Sequence, residues 1–451
     1  MGRRGRTAVG GRRLSRIAFL TPLAPEKTGI AEYSALVLAA LAGRVEVDAY
    51  CRHPSPDPLP GVTIRPANAR GLRRLESYDA VVAQIGNSAA HDWIVDWIRH
   101  RPAVVVLHEL VLHHLVAHVT IGGRRPGDYI DALRRDGGAN AVPHALAALT
   151  RRAEPLWELE PDRYPMAEFV TRHATGLIVH SDHMAEAVRA RGLARDVTVA
   201  PLPARPVVDR TPIPPDPDRP VTFGVFGFIN PNKRLPVVLA ALRLALTRVP
   251  GLRLLVVGGS SSGIDPAGLA AEVGLPAAAV RVEAYSDRAR YEDFLAQVDV
   301  GIALRHPTFG ETSAVVVEFM ARAIPVVVST GGWYDELPDT AVARVAPDGD
   351  EVLTLAATIE HLARDPARRN AMGATAREYT CSVLDPHRSA DAYIEALFGV
   401  EGRRGVEASL TQSLAGTIGE VGSVFMSPTA ALATKVRAAA GAIGLLGRDG
   451  R

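Results

Sequence analysis

Two kinds of apolar pattern alternate along the chain. Short continuous runs rich in β-branched residues fall at 17–20, 45–50, 62–64, 80–84, 103–107, 176–180 and 197–200. They resume at 222–226, 253–257, 280–284, 300–304 and 326–328. Between most of them, apolar residues recur with the helical period, notably at 30–41, 88–99, 235–248, 265–273, 289–297 and 314–323. Short apolar runs bounded by turns read as strands buried on both faces. Strands alternating with helices in this way imply parallel, doubly wound sheets, so the expected fold class is α/β.

The rhythm breaks twice. Residues 121–165 are helical in pattern, Arg-rich and interrupted by Gly and Pro, and read as an insertion placed to cover a cleft. Residues 203–220, PARPVVDRTPIPPDPDRP, form the densest proline stretch and read as an extended linker. The expected organisation is a first sheet domain over 16–204, a linker over 205–220 and a second sheet domain over 221–380. Helical patterns at 351–365, 366–380 and 388–397 follow, with 381–400 expected to cross back onto the first domain. Residues 1–15 read as a disordered basic N-terminus, and 401–451 as a low-complexity, poorly ordered tail. An alternative for the tail is a lipid-surface helix around Lys435 and Arg437. Two such sheets leave a cleft between their carboxyl edges, a usual place for cofactor-sized ligands.

Composition narrows the function classes. A net charge of +2 over 451 residues gives no bias towards nucleic acid. Cys51 and Cys381 lie far apart, which argues against a disulfide framework and suits a reducing cytoplasm. The basic N-terminus lacks the apolar core of a secretory signal, and no run is long enough to span a bilayer. The expected location is cytoplasmic, soluble or peripheral on the inner face of a membrane.

The stretch 305–329, RHPTFGETSAVVVEFMARAIPVVVS, concentrates the candidate chemistry. It reads as the end of a strand, a polar turn, a helix and the next strand, with the turn at a carboxyl edge where open α/β sheets bind ligands. Gly310 permits a tight turn, after which the amides of Thr312, Ser313 and Ala314 sit at a helix start and attract phosphate. Glu311 and Glu318 add carboxylates, which suit a ligand that also carries sugar hydroxyls. Each acidic residue has a plainer explanation, a helix-dipole preference for Glu311 and a solvated face for Glu318. Lys233 follows Gly227 directly after a strand, in a chain with only three lysines, and suits a diphosphate, with Arg234 adding to it. Gly29 precedes the first helix and leaves room for a ligand.

His108 ends a strand and is either a cleft residue or a capping or core histidine. His114 and His118 stand four apart, but no carboxylate or Cys completes a metal set, so a metal site is not expected. GxxxxGK[ST] and GxGxxG are both absent, against an ATPase or a dinucleotide oxidoreductase.

Four stretches taken in order carry a resemblance: PEKTGIAEYS, QIGNS with VVVLHELVLHHL, FGFINPNKR, and the 305–329 stretch followed by GGWYDELPD. Over residues 16–398 the chain resembles the retaining nucleotide-sugar-dependent glycosyltransferases of family 4. The resemblance implies a GT-B fold, two Rossmann-like domains facing across a cleft plus C-terminal helices. It implies that Gly29 lies near the donor phosphate and acceptor, that His108 meets the transferred sugar, and that Lys233 neutralises the diphosphate. Glu318 would bind the ribose, Glu311 the sugar hydroxyls, and Gly310, Thr312, Ser313 and Ala314 the phosphate. The family has an Arg five residues before its Lys, where this chain has Phe228, so the second cation falls to Arg234 or Arg305. Glu311 is also one residue out of the family's register with Glu318.

The implied activity is transfer of a hexose from a nucleoside diphosphate sugar to a glycan or lipid-linked acceptor, with retention, as in polysaccharide biosynthesis. His108, Glu311 and Lys233 are the expected catalytic residues. No cofactor or metal is expected, since no DxD-like acidic pair stands in a convincing loop. The partners are then the donor and acceptor, with peripheral membrane contact and no nucleic acid. Two alternatives stay open, a nucleotide-sugar-binding scaffold without turnover and a nucleotide-sugar epimerase on the same frame.

Overall fold

The computed structural model describes residues 16–99, 101–194, 196–207, 219–261, 263–284 and 287–399. The expectations for 1–15, for most of the proline-rich stretch and for 401–451 lie outside the described residues.

The first domain holds β1 (Arg16–Leu20), β2 (Glu46–Cys51), β3 (Thr63–Pro66), β4 (Ala80–Ile85), β5 (Ala103–Leu107), β6 (Ala174–Val179) and β7 (Val197–Val199). They form one seven-stranded sheet in the order β3-β2-β1-β4-β5-β6-β7. The second domain holds β8 (Thr222–Phe226), β9 (Arg253–Val257), β10 (Val280–Glu283), β11 (Val300–Ala303), β12 (Val326–Ser329) and β13 (Val342–Val345). Its order is β10-β9-β8-β11-β12-β13, and the strand pairs in both sheets are parallel. The strand β13 was not among the expected ones. It is a short edge strand whose two middle residues are only partly buried, so its sequence lacks the continuous apolar run of its neighbours.

Buried central strands explain the continuous runs: AVVVL of β5 is buried at every position. In each sheet the strand order reverses beside the first strand, between β1 and β4 and between β8 and β11. Crevices open at such points beyond the carboxyl ends. Those two edges face each other.

The insertion helices Pro126–Gly137, Val142–Leu149 and Leu156–Leu159 pack on the first domain. Tyr129, Leu133 and Leu156 are buried in one cluster with Trp93 and Ile94. Arg99 to Asp128 (2.8 Å) and Arg125 to Asp96 (3.2 Å) tie the same surfaces. The last described helix, Pro386–Phe398, lies on the helix Gly29–Leu41 of the first domain. There Tyr393 is fully buried and its hydroxyl meets that of Tyr33 at 2.8 Å. The chain thus leaves the first domain after β7 and returns to it after the second.

Candidate functional site

In the second domain, β8 runs into Gly227, whose φ of +86° turns the chain sharply. A Cβ there would lie 2.8 Å from Lys233 Nζ, so only glycine leaves the ammonium its place. Lys233 comes from the short turn Pro231–Lys233 and donates to the Phe226 carbonyl at 2.6 Å. Burial, helped by the nearby Arg305 guanidinium and opposed by Glu311, pushes its ammonium down to about 7. Arg305 follows β11. Its backbone N–H donates to Ser329 Oγ at 2.8 Å, and its guanidinium pairs with Glu311. Burial works against that charge, but Glu311 and Tyr334 more than restore it.

Glu311 Oε2 also accepts from the Phe309 N–H at 2.6 Å, closing the PTFGE turn in which Gly310 adopts φ +84°. Ser313 caps the helix Ala314–Ala321, its Oγ accepting from Val316 N–H at 3.4 Å. Lys233, Arg305, Ser313 and Tyr334 line one small cavity. Beside these residues, Arg305 Nε, Thr312 Oγ1, Asn230 Oδ1 and both polar side-chain atoms of Asn232 are buried with no hydrogen-bond partner among the described residues. Buried polar groups are rarely left so, and here they gather with two cations and a helix start. Such a set suits a phosphate-bearing ligand.

The first domain presents the loop after β5. His108 N–H donates to Ile85 O at 3.0 Å, and its ring is edge-on to Tyr33 at 4.6 Å between centroids. Its Nε2 meets Gln84 Oε1 at 2.7 Å and its Nδ1 meets His180 Nε2 at 3.2 Å. Burial, with His180 and His91 nearby, holds His108 well below the usual imidazole range. The next residue, Glu109, takes the Asn87 N–H at 2.9 Å on Oε1. Burial, reinforced by Glu311 across the cleft, raises its carboxyl to about 7 against the pull of Asn87 and Arg305.

Arg234 and Glu318 have partners that were not expected, and Gly29 and Phe228 are open to solvent. Arg234, held at φ +58°, directs its guanidinium to the buried Glu351, so the second cation beside Lys233 is Arg305. Glu318 is neither a solvated face residue nor a free carboxylate. Arg288 grips its two oxygens at 3.0 Å each, and Arg322 pairs with it from one turn on. Arg288 comes from the helix Arg288–Ala296, which the sequence placed on a separate element. Gly29 is exposed at a helix start capped by Thr28, and a Cβ there would meet nothing within 4 Å. Phe228 is 58% exposed and puts no charge at the site.

His113 is a core residue bonded to Tyr129 Oη at 2.8 Å, while His114 and His118 pair with Glu158 and Asp92. Among the described residues no group of three or more His, Cys, Asp or Glu is placed to hold a metal ion. Sequence reasoning missed Glu109, Tyr334, Asn232 and Ser329. Glu109 had a signal, since it adjoins His108 at the same strand end.

Residues 220–365 match the family model described as Glycosyl transferases group 1. No curated protein matches the sequence. Among solved structures, sucrose-phosphate synthase from Thermosynechococcus elongatus is similar with a TM-score of 0.59 at 18% identity, over 84% of this chain and 97% of that one. Anabaena Alr3699/HepE, solved with UDP-glucose, gives 0.58 at 15% identity over 85% and 99%. WaaG, a glycosyltransferase involved in lipopolysaccharide biosynthesis, gives 0.55 at 14% identity over 84% and 99%. At these identities the likeness is one of fold. The chain has the two-domain GT-B architecture of glycosyltransferases, and its second domain carries the group 1 match.

Proposed function

We propose that the chain is a glycosyltransferase that moves a hexose from a nucleoside diphosphate sugar to a hydroxyl of a glycan or lipid-linked acceptor, with retention of configuration. One observation carries this reading: Lys233, Arg305 and the N-terminus of the helix Ala314–Ala321 converge on one cavity at the carboxyl edge of the second sheet.

Cleavage of the bond from C1 to the diphosphate leaves negative charge on the phosphate oxygen and positive charge on the ring. Lys233, Arg305 and the amides of Thr312, Ser313 and Ala314 stabilise the first. Preorganised groups of this kind are worth ~2.7–4 kcal/mol of barrier each. Glu311, fixed by Arg305 and the Phe309 N–H, faces the sugar hydroxyls. The acceptor oxygen bonds to C1 on the face the phosphate leaves, and its proton passes to the departing phosphate oxygen. With both cations in the protein, the reaction is proposed to need no metal. UDP is the first nucleotide to test, because the similar HepE was solved with UDP-glucose.

Among the described residues no helix is long and apolar enough to cross a membrane. A lipid-linked acceptor is proposed to be met at a membrane surface.

A binding scaffold is the second reading, motivated by Phe228 and by the engagement of Glu318 with arginines. Incubation with UDP- and GDP-hexoses, with and without glycan acceptors, separates the possibilities. Acceptor-dependent nucleotide release with an anomerically retained product is the expected result. Binding without release would establish the scaffold, and interconversion of sugars an epimerase.

A further inference from the structure

We propose that Glu109, not His108, is the side chain of the first domain that contacts the transferred sugar. This rests on the reading above, since it names a further contact of the same site.

The ring of His108 has no nitrogen to offer. The Nδ1 of His180 lies 2.8 Å from the Ala200 carbonyl, which can only accept, so in the neutral ring Nε2 of His180 is an acceptor. His108 Nδ1 therefore carries the proton and donates to it across 3.2 Å. The Nε2 of His108 is then a lone pair and needs a donor from Gln84, which the side-chain amide supplies when its NH2 faces the ring. The amide oxygen then faces Tyr393 Oη, 3.0 Å from the other end of Gln84, and accepts its proton, while Tyr33 donates to Tyr393 across 2.8 Å. Every group in the chain from Tyr33 to Ala200 is satisfied in this one arrangement.

Glu109 is placed differently. It lies at the carboxyl edge of the first sheet, where the loops after β1 and β4 converge. A Cβ on Gly86 would fall 3.7 Å from Glu109 Oε1 and 2.3 Å from Ile30 Cδ1, so a side chain at 86 would crowd both. Oε1 holds the Asn87 N–H, and among the described residues Oε2 has no hydrogen-bond partner. The following residue, Leu110, is bonded to Phe309, one position before Gly310 and two before Glu311. Glu109 and Glu311 thus approach from opposite domains, with Arg305 acting on both. Two carboxyls beside a phosphate pole suit the hydroxyls of a sugar.

The test compares wild type, Glu109→Gln and Glu109→Asp for binding of UDP and GDP and of UDP-glucose and GDP-mannose by calorimetry, and for transfer with whichever donor turns over. Glu109→Gln is expected to keep wild-type affinity for the bare nucleotide. Its affinity for the sugar conjugate should fall at least tenfold and its kcat about a hundredfold, with partial recovery in Glu109→Asp. Conjugate affinity and kcat within twofold of wild type would overturn the proposal while leaving the donor site intact. Wild type that binds neither nucleotide nor conjugate would overturn the underlying reading itself. For the exclusion of His108, ¹⁵N shifts of its ring should show a neutral imidazole protonated on Nδ1 that does not titrate between pH 6 and 8. An Nε2-protonated or titrating ring would overturn that half.

Discussion

The Leu110 N–H donates to the Phe309 carbonyl at 2.7 Å, and the Val111 N–H shares the same acceptor at 3.3 Å. These backbone bonds join the loop after β5 to the loop after β11, so the two carboxyl edges meet directly at the candidate site. Backbone contacts of this kind are set by loop conformation more than by side-chain identity.

Gly310 stands in that joint. A Cβ there would lie 3.0 Å from Leu110 Cβ, and its φ of +84° is one that other L-residues adopt at a cost of ~1–2 kcal/mol. Gly310→Ala should therefore lower stability by about that amount and push the loops apart. Differential scanning calorimetry is expected to show the loss, and kinetics a larger fall in kcat than in nucleotide affinity. An unchanged kcat would mean that this contact is not part of the working geometry.

A second contact between the domains is a helix cap supplied from across the cleft. Glu336 accepts from the N–H groups of His183 (2.7 Å) and Asp182 (3.3 Å) at the start of the helix Asp182–Ala190. Ser181 Oγ already takes the Met184 N–H at 3.1 Å, so the helix keeps a cap of its own without Glu336. Glu336→Ala should cost ~0.5–2 kcal/mol and loosen the domains without melting the helix. Small-angle scattering should show a larger radius of gyration at unchanged circular dichroism.

The sheets were legible because central parallel strands must be apolar on both faces, as VVVLH and VTFGVF show. The turns of the candidate site were legible for a related reason: Gly227 and Gly310 mark sharp turns, and Lys233 and Ser313 follow them within a few residues. What the sequence hid is pairing between distant elements. Glu318 looks free until the helix carrying Arg288 folds against it, and Arg234 looks like a partner of Lys233 until Glu351 claims it. His108 stands at a strand end in the sequence, and only the fold shows Gln84 and His180 at its two ring nitrogens.

The Glu318 network makes its own prediction. Its side chain is 14% exposed and that of Arg322 6%, and removing its charge leaves Arg288 and Arg322 with Glu292 as the carboxylate they share. Leaving a buried charge unpaired costs ~3–5 kcal/mol, and with Glu292 still in contact with both guanidinium groups this case falls below that range. Glu318→Gln should lower denaturant stability by ~1–3 kcal/mol with less than a tenfold change in nucleotide affinity. The reverse pattern, intact stability and lost affinity, would restore Glu318 as a direct ribose contact.

Lys233 is held at about 7 by burial and by Arg305, whereas in the unfolded chain it titrates near 10.5. Between those values the unfolded state holds the extra proton. This group therefore makes stability rise with pH through that window, and Lys233→Met should flatten the slope. A bound diphosphate does the opposite to the folded protein: its charge favours the ammonium and raises the pKa. At pH 8, UDP binding should then draw a proton from solution, seen as a dependence of calorimetric enthalpy on the ionisation enthalpy of the buffer. Lys233→Met should abolish that uptake and reduce transfer ~100–1,000-fold. UDP binding that takes up no proton in wild type would place the diphosphate away from Lys233.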